Sequence, residues 1–447
     1  LLAELGLSDL EFHTFGCKVN TYDTGLLAQR LEGLTQPEKT KIHVINSCAV
    51  TAEATTEALR RARQLKRATP GAYVVLTGCS AQVDSRIVDG ASEIDLVIAN
   101  SHKTEIQNIV QRFLNNEFAP IEAKSEMQKV HRSNIFRKED LEPGGGIENE
   151  HTRSFLKIQD GCNSFCSFCV IPYARGKSRS LSRKDILTRI NQITVAGIRE
   201  IVLTGIHLGD YCDEETGADF TELIRSILGE TSIPRLRLSS LEPIEISIEM
   251  LKLFSDDRLC PHFHMSIQSA STKVLTDMKR KYSGDEVRRS LDQIKSYVPQ
   301  AFVGMDVIVG FPSETRAHFE ETYLNLCASP WSKIHVFPYS ERQGTRAALM
   351  TEKVEVRERK QRAVRLRELS DERLAALTRN QLGTLKKVLI LNKPARGAIG
   401  LSRDYFSVDL VNENHLFGQE ISAEIIAIQN RPGREPLLIG KNIGVLS

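Results

Sequence analysis

The sequence predicts an α/β protein in three parts: an N-terminal parallel-sheet α/β domain, a central partial (β/α)6 barrel, and a small C-terminal antiparallel β-barrel. Three observations carry this. Short β-rich runs alternate with helical periodicity over the first 120 residues and again from about residue 151, as βαβ units do. The periodicity fades from about residue 115 to 150, where Glu142-Pro-Gly-Gly-Gly146 marks a boundary. From about residue 381 short strands follow one another with turn residues between them. The expected division is 1–120, a linker at 121–150, then 151–380 and 381–447.

In the first part, Leu10–Phe15 reads as a strand, followed by Gly16-Cys17 and a helix over Tyr22–Leu34. Lys41–Ile45 is the second strand, followed by Asn46-Ser47-Cys48 and a helix over Ala52–Ala68. Ala72–Leu76 is the third, followed by Thr77-Gly78-Cys79; Ile94–Ile98 precedes a further helix over Lys103–Phe113. Each cysteine thus lies just past the carboxyl end of a strand, and Cys17, Cys48 and Cys79 are 31 residues apart. Ligand crevices of open α/β sheets lie outside those ends, so the three thiols should converge. Three thiolates, not four, fit a [4Fe–4S] cluster with one open iron; three unrelated buried thiols are the alternative. The helix after Cys48 carries Arg60, Arg61, Arg63, Lys66 and Arg67, which read either as a solvated face or as phosphate contacts.

In the central part, Phe155–Ile158 is a strand, followed by Cys162, Cys166 and Cys169 at C-x3-C-x2-C spacing and a helix over Arg183–Val195. Five further strands are expected at Glu200–Leu203, Arg235–Leu238, His262–Met265, Phe302–Val309 and Lys333–Phe337, with helices between. Six such strands suggest the partial barrel, whose functional groups gather at the carboxyl ends of the strands. The cysteine loop follows the first of them. A closed zinc site wants four ligands. Here no nearby His or Cys completes the set, so a second cluster with an open iron is favoured over a zinc knuckle or redox thiols.

Lys353–Gln381 reads as a long charged helix, the barrel's outer connecting helix. Strands follow at Leu385–Ile390, Ala398–Leu401, Phe406–Leu410, Glu420–Gln429 and Leu437–Gly440. Small barrels of this kind commonly bind RNA, although the fold alone also permits a structural cap. The bulk numbers are ordinary: 41% apolar, 26% charged and a net charge of +2, which names no partner. Nine scattered cysteines exclude a disulfide scaffold and point to a reducing, cytoplasmic setting; Cys212, Cys260 and Cys327 read as incidental. No apolar run is long enough to span a membrane. Leu1-Leu2-Ala3-Glu4 shows no secretory signal, and a start without Met leaves the native N-terminus open.

Gly16-Cys17-Lys18-Val19-Asn20, Asn46-Ser47-Cys48-Ala49-Val50-Thr51 and Thr77-Gly78-Cys79 resemble the N-terminal domain of the methylthiotransferases. The C-x3-C-x2-C loop resembles the signature of the radical S-adenosylmethionine enzymes, to which that family belongs. The resemblance covers essentially the whole chain, the tail being similar to the RNA-binding TRAM domain. It implies two [4Fe–4S] clusters, on Cys17, Cys48 and Cys79 and on Cys162, Cys166 and Cys169, with S-adenosylmethionine chelated by the second. Phe168 would lie against the adenine, and Thr204-Gly205 would receive the methionine amino group. Ser239 and Glu242 end the third barrel strand, where Glu242 can accept from the ribose or the ammonium. His264 and Gln268, on and beyond the fourth strand, and Asp306, on the fifth, complete the cofactor site; His262 and His264 can also be satisfied core residues. Ala270 and Ser313 stand where the family usually has Gly.

The implied partners are tRNA, a low-potential electron donor such as a flavodoxin or ferredoxin, and a sulfur source. Cys17-Lys-Val-Asn20 and Cys48-Ala-Val-Thr51 are similar to the group that methylthiolates N6-threonylcarbamoyladenosine beside the anticodon. The groups acting on isopentenyladenosine or on a ribosomal-protein aspartate typically carry Cys-Gln-Met-Asn or Cys-Pro-Lys-Asn at the first site. A rival of another class is a metal-stabilised RNA-binding protein without turnover, which iron and sulfide analysis separates from an enzyme.

Overall fold

The computed structural model describes residues 10–34, 41–84, 87, 91–115, 117, 129–139, 141, 152–391, 398–410, 417–431 and 434–445. They form two compact units that do not follow chain order. One draws on Leu1–Gly146, Gln159–Ser180 and Ser340–Ala348; the other on Ile147–Ile158, Leu181–Tyr339 and Leu349–Ser447. All six cysteines of the two triads fall in the first unit.

That unit is built on five parallel strands in sequential order: β1 (Leu10–Thr14), β2 (Ile42–Ser47), β3 (Tyr73–Gly78), β4 (Leu96–Ala99) and β5 (Lys129–His131). Alternation along β2 sends Ile42 and Val44 into one core and Ile45 into the other. The first core holds Leu27 and Leu31 from helix α1 (Lys18–Leu31); the second holds Ala58, Leu59 and Leu65 from α2 (Ala52–Ala68). Burial on both faces is why β3 reads as the apolar run Tyr73–Leu76, while β2 buries His43 among its apolar residues. Thr51 starts α2 by accepting from Ala54 N at 3.2 Å. β5 comes from the stretch read as linker, since three residues are too few to show a period. Glu142–Gly146 lie outside the described residues.

In the second unit β6 (Arg153–Lys157), β9 (Glu200–Thr204) and β10 (Arg235–Leu238) form one parallel sheet. β11 (Ser240–Leu241), β12 (His262–Gln268), β13 (Phe302–Val309) and β14 (Lys333–Pro338) form another. β10 and β11 are one run of chain interrupted at Ser239, so the two sheets continue as six parallel positions, the expected partial barrel. Its helices begin at built caps. Asp219 with Glu222, and Ser283 with Glu286, make capping boxes for Phe220–Glu230 and Gly284–Tyr297. Val356–Arg379 is the long charged helix foreseen.

The tail closes into a five-stranded barrel in the order β15 (Leu385–Ile390), β16 (Ala398–Ser402), β17 (Ser407–Leu410), β19 (Leu437–Val445), β18 (Glu420–Gln429). Four pairings are antiparallel; β17 and β19 run parallel. An odd number of strands cannot alternate all the way round a ring, so one parallel pair is a geometric necessity. Val388, Ile390, Val408, Leu410, Ile421 and Leu438 fill its core. Among the described residues no helix is long and apolar enough to cross a membrane.

Candidate functional site: two thiol triads and a polar strand-end cluster

Cys17 is the N-cap of α1, Cys48 follows β2, and Cys79 opens the short helix α3 (Cys79–Val83). Two glycines let these ends crowd together. Gly16 and Gly78 both have φ of 97°, and a Cβ on Gly16 would stand 2.7 Å from Cys48 Sγ. Asn20 Nδ2 donates to the carbonyls of Phe15 at 2.8 Å and Ser47 at 3.0 Å, while Asn46 Nδ2 donates to Asn20 O at 2.9 Å. These amides tie the first and second cysteine turns to each other.

Burial raises the Cys17 thiol, although that residue keeps an exposed face, and pushes the Cys48 thiol up to about 12, with Cys79 beside it adding to the effect. Thiols that burial holds protonated, as it does Cys17 and Cys48, are what a bound cation or cluster stabilises as thiolates.

The second triad sits on a loop between two short antiparallel strands, β7 (Gln159–Asp160) and β8 (Arg179–Ser180). Cys162 N donates to Gly176 O at 3.1 Å and Cys169 N to Cys166 O at 3.0 Å, folding the loop on itself. Backbone amides also point at sulfur: Ser164 N at Cys162 and Ile171 N at Cys169, both at 3.4 Å, and Val50 N at Cys48 at 3.5 Å. Amides aimed at sulfurs are the surroundings in which iron–sulfur clusters are held and their potentials tuned. No disulfide joins any of the nine cysteines. Three soft donors per site, unbridged and met by amides, fit a cluster at Cys17, Cys48 and Cys79 and another at Cys162, Cys166 and Cys169.

Arg175, fully buried, joins the two triads. It lies at the end of the helix Ile171–Arg175 just after the loop. Its Nη1 donates to Asp160 Oδ1 at 2.9 Å, and its Nη2 to Asn20 Oδ1 at 2.7 Å and Asp23 Oδ2 at 3.0 Å. Burial works against its charge, but Asp160, Cys79, Asp23 and Cys17 outweigh that and hold the guanidinium firmly protonated. Asn100 Nδ2 adds a bond to Ala174 O at 2.8 Å and faces Cys79 Sγ at 3.7 Å. Nothing in the sequence singled out Arg175 or Asn100. Asn20 and Asp23, three and six residues past Cys17 on a helix, carried a spacing that could have flagged them.

In the second unit the strand ends bring several expected residues together. Glu242 Oε1 pairs with Arg280 Nη2 at 2.9 Å and lies 3.4 Å from His207 Nε2. His207 also meets Glu245 at 2.5 Å and Asp210 at 3.1 Å, so both its ring nitrogens face carboxylates. Burial raises the Glu242 carboxyl, with Arg280 and His207 opposing. His264 bonds Ser240 Oγ at 2.7 Å and faces Asp306 Oδ1 at 3.3 Å. Ser240 was not among the expected site residues. Ser239 is buried, and its amide donates to Leu203 O.

Thr204 is buried at the end of β9, with Gly205 half-buried after it. Gln268 ends β12 with φ of 62°, a strained conformation for a non-glycine residue of the kind that collects at functional strand ends. Phe168 is half-buried in the cysteine loop. His262 belongs elsewhere: its ring stacks on Tyr405 of the C-terminal barrel at 3.8 Å. Arg280, Asp210 and Glu245 were not singled out, because their convergence with Glu242 and with His207, which ends the segment Thr204–His207, comes from loops far apart in sequence.

A further donor group, Glu11, His13 and His43, spans β1 and β2. Lys41 holds Glu11 there, and the charge of Arg61 bears on both histidines, surroundings that disfavour a cation.

Comparison with known proteins adds three findings. The model described as "Radical SAM superfamily" matches residues 156–326, and "Uncharacterized protein family UPF0004" matches residues 9–99. The threonylcarbamoyladenosine tRNA methylthiotransferase MtaB of Aquifex aeolicus is 35% identical over 86% of this chain and 92% of its own length. MtaB of Bacillus subtilis is 34% identical over 82% and 81%. The tRNA-2-methylthio-N(6)-dimethylallyladenosine synthase of Desulfotalea psychrophila is 31% identical over 90% and 92%. Among solved structures, the radical S-adenosylmethionine methyltransferase TsrM of Kitasatospora setae superposes with a TM-score of 0.50 at 13% identity, over 73% of this chain and 67% of that one, a likeness of fold.

Proposed function

Because the chain belongs to the radical S-adenosylmethionine methylthiotransferase family, in its MtaB group, we propose that it converts N6-threonylcarbamoyladenosine beside the tRNA anticodon into its 2-methylthio derivative. The observation that carries this reading is that Cys17, Cys48 and Cys79, crowded just past the ends of three parallel strands, share one compact unit with the loop of Cys162, Cys166 and Cys169. When bound, two [4Fe–4S] clusters and S-adenosylmethionine supply the one-electron and C–H-activating chemistry together with the sulfur and methyl group.

The chain's own residues bind and position. Cys162, Cys166 and Cys169 hold one cluster, and Cys17, Cys48 and Cys79 the other. Arg175 and Asn100 fix the spacing between the two cages, because a transfer between two centres tolerates little misplacement. In this reading Thr204, Gly205, Ser239, Glu242, His264, Gln268 and Asp306 hold S-adenosylmethionine. Arg280 and His207 keep Glu242 fixed as an acceptor for its hydroxyl or ammonium groups. The reading calls for tRNA as substrate, a low-potential electron donor, a sulfur source and a cytoplasmic setting.

Mass spectrometry of tRNA nucleosides tests it. Deletion of the gene should abolish 2-methylthio-N6-threonylcarbamoyladenosine and leave its unthiolated precursor. The wild-type gene should restore the product, and neither Cys17→Ala nor Cys162→Ala should. Persistence of the product in a deletion strain with no second such enzyme would sink the assignment. A change confined to isopentenyladenosine derivatives would move it to that substrate.

A further inference from the structure

The loop that carries Cys162, Cys166 and Cys169 exposes an aromatic residue between two of its ligands. Phe165 has φ of 45°, a left-handed conformation that strains a bulky side chain and that Gly or Asn would adopt more easily. It is nevertheless 40% exposed, as Tyr173 is at 45%. The two rings meet edge to face at 5.9 Å, and both meet Phe136, at 6.2 and 6.0 Å. The rings pack on one another, giving a continuous apolar surface and not a slot that would receive a flat base.

The flanks of this surface are basic. Arg137 and Lys177 are exposed and Lys138 is half-buried, with Glu139 the adjoining acid. Arg179 Nη1 donates to Lys177 O at 2.9 Å and reaches Lys138 O at 3.5 Å, so the two basic segments lie side by side. An apolar centre with a charged rim is the anatomy of a specific but transient protein interface.

We propose that Phe136, Phe165 and Tyr173, rimmed by Arg137, Lys138 and Lys177, form the docking face for a small acidic protein that carries a low-potential one-electron centre. This rests on the reading that the loop holds a reducible cluster. Electron transfer weakens steeply with distance, and a partner seated on Phe165 sits on the ligand segment itself. Electron-transfer complexes are small and steered by opposite charge, which matches the basic rim. The step is balanced: the partner loses one electron, the cluster gains one, and no bond is made or broken.

The test uses the holoenzyme with both clusters loaded and two probes, a reduced flavodoxin and a reduced [2Fe–2S] ferredoxin. Stopped-flow absorbance and electron paramagnetic resonance follow reduction of the cluster. With at least one probe the wild-type rate constant should fall with ionic strength. Arg137→Glu with Lys177→Glu should lower it about tenfold or more at low salt, by loss of steering. Tyr173→Ser should weaken binding of the same probe in calorimetry. Iron content and reduction by dithionite should stay at wild-type values, which keeps a folding or cluster defect apart from a docking defect. Unchanged rates with both probes overturn the proposal. So does a fall in tRNA affinity without a change in reduction rate, which would make the face an RNA contact. A wild-type protein that dithionite cannot reduce would instead strike at the cluster assignment underneath.

Discussion

A methyl group on Gly78 would lie 2.3 Å from the Ser47 carbonyl oxygen, and the residue's φ of 97° already disfavours any side chain. The neighbour is backbone and cannot swing aside. Gly78→Ala should therefore displace Cys79, and reconstituted iron should drop from about eight to about four per chain, with the other cluster kept. Colorimetric iron and sulfide analysis checks it; full iron loading would show that the cage tolerates the shift. Glu200 poses a different single-residue question. It is fully buried and accepts from Arg153 Nε at 2.7 Å, Arg235 Nε at 2.8 Å and Arg237 Nε at 3.0 Å. Burial opposes its charge, but Arg237, Arg153 and Arg235 prevail and hold the carboxyl well below the usual 4.5. A carboxyl depressed on folding stabilises above its unfolded pKa, and that stability is lost as pH falls towards the native value. Glu200→Gln should cost roughly 3–5 kcal/mol at pH 7, as breaking a buried pair does, and should flatten the stability profile below about pH 4.5. Urea melts between pH 3 and 7 measure both effects.

At the scale of the element, the basic run of α2 reads either as a solvated face or as phosphate contacts. In the structure Arg60 is held by Glu57 at 2.6 Å, Arg63 by Glu93 at 2.8 Å and Lys66 by Asp95 at 2.5 Å. Exposed pairs of this kind are weak, but they cancel much of the helix's field. Arg60→Ala with Arg63→Ala should leave tRNA affinity within about twofold, whereas losing two real phosphate contacts would also flatten the salt dependence by about two in slope. Filter binding across a salt series decides between the two. On the long helix Val356–Arg379 cations are held too: Arg362 Nη1 bonds Glu314 at 2.5 Å, and Arg373 lies over the Trp331 ring at 4.0 Å.

At the scale of the whole molecule, the C-terminal barrel is tied into the second unit. Arg235 Nη1 reaches Glu420 at 2.5 Å and its Nη2 reaches Leu401 O at 3.1 Å, while Arg237 donates to the carbonyls of Arg403 at 3.0 Å and Ser402 at 3.3 Å. His262 and Tyr405 stack across the same contact. Removing residues 381–447 would strip partners from two buried guanidinium groups and expose those rings. The truncated chain should aggregate on expression and not persist as a folded enzyme with weaker tRNA binding. Soluble yield and size-exclusion profile test this, and a well-behaved truncation would show the barrel to be an independent module.

The sequence by itself determined the elements and the donor set. Apolar period and turn chemistry are local, so Ala52–Ala68, Arg183–Val195, Phe302–Val309 and Glu420–Gln429 were legible to the residue. Three cysteines one βαβ step apart could be placed on one sheet edge without coordinates, because parallel strands put their carboxyl ends together. Only the tertiary structure decided the groups that hold the cages and the strand ends in place. Arg175 bridges Asp160 to Asn20 and Asp23 across about 140 residues of chain, and Arg280 meets Glu242 across about 40. Whether a buried charge finds a partner depends on the path of the whole backbone. No local pattern encodes that path, so the two cysteine triads could be read from the sequence and the groups packed around them could not.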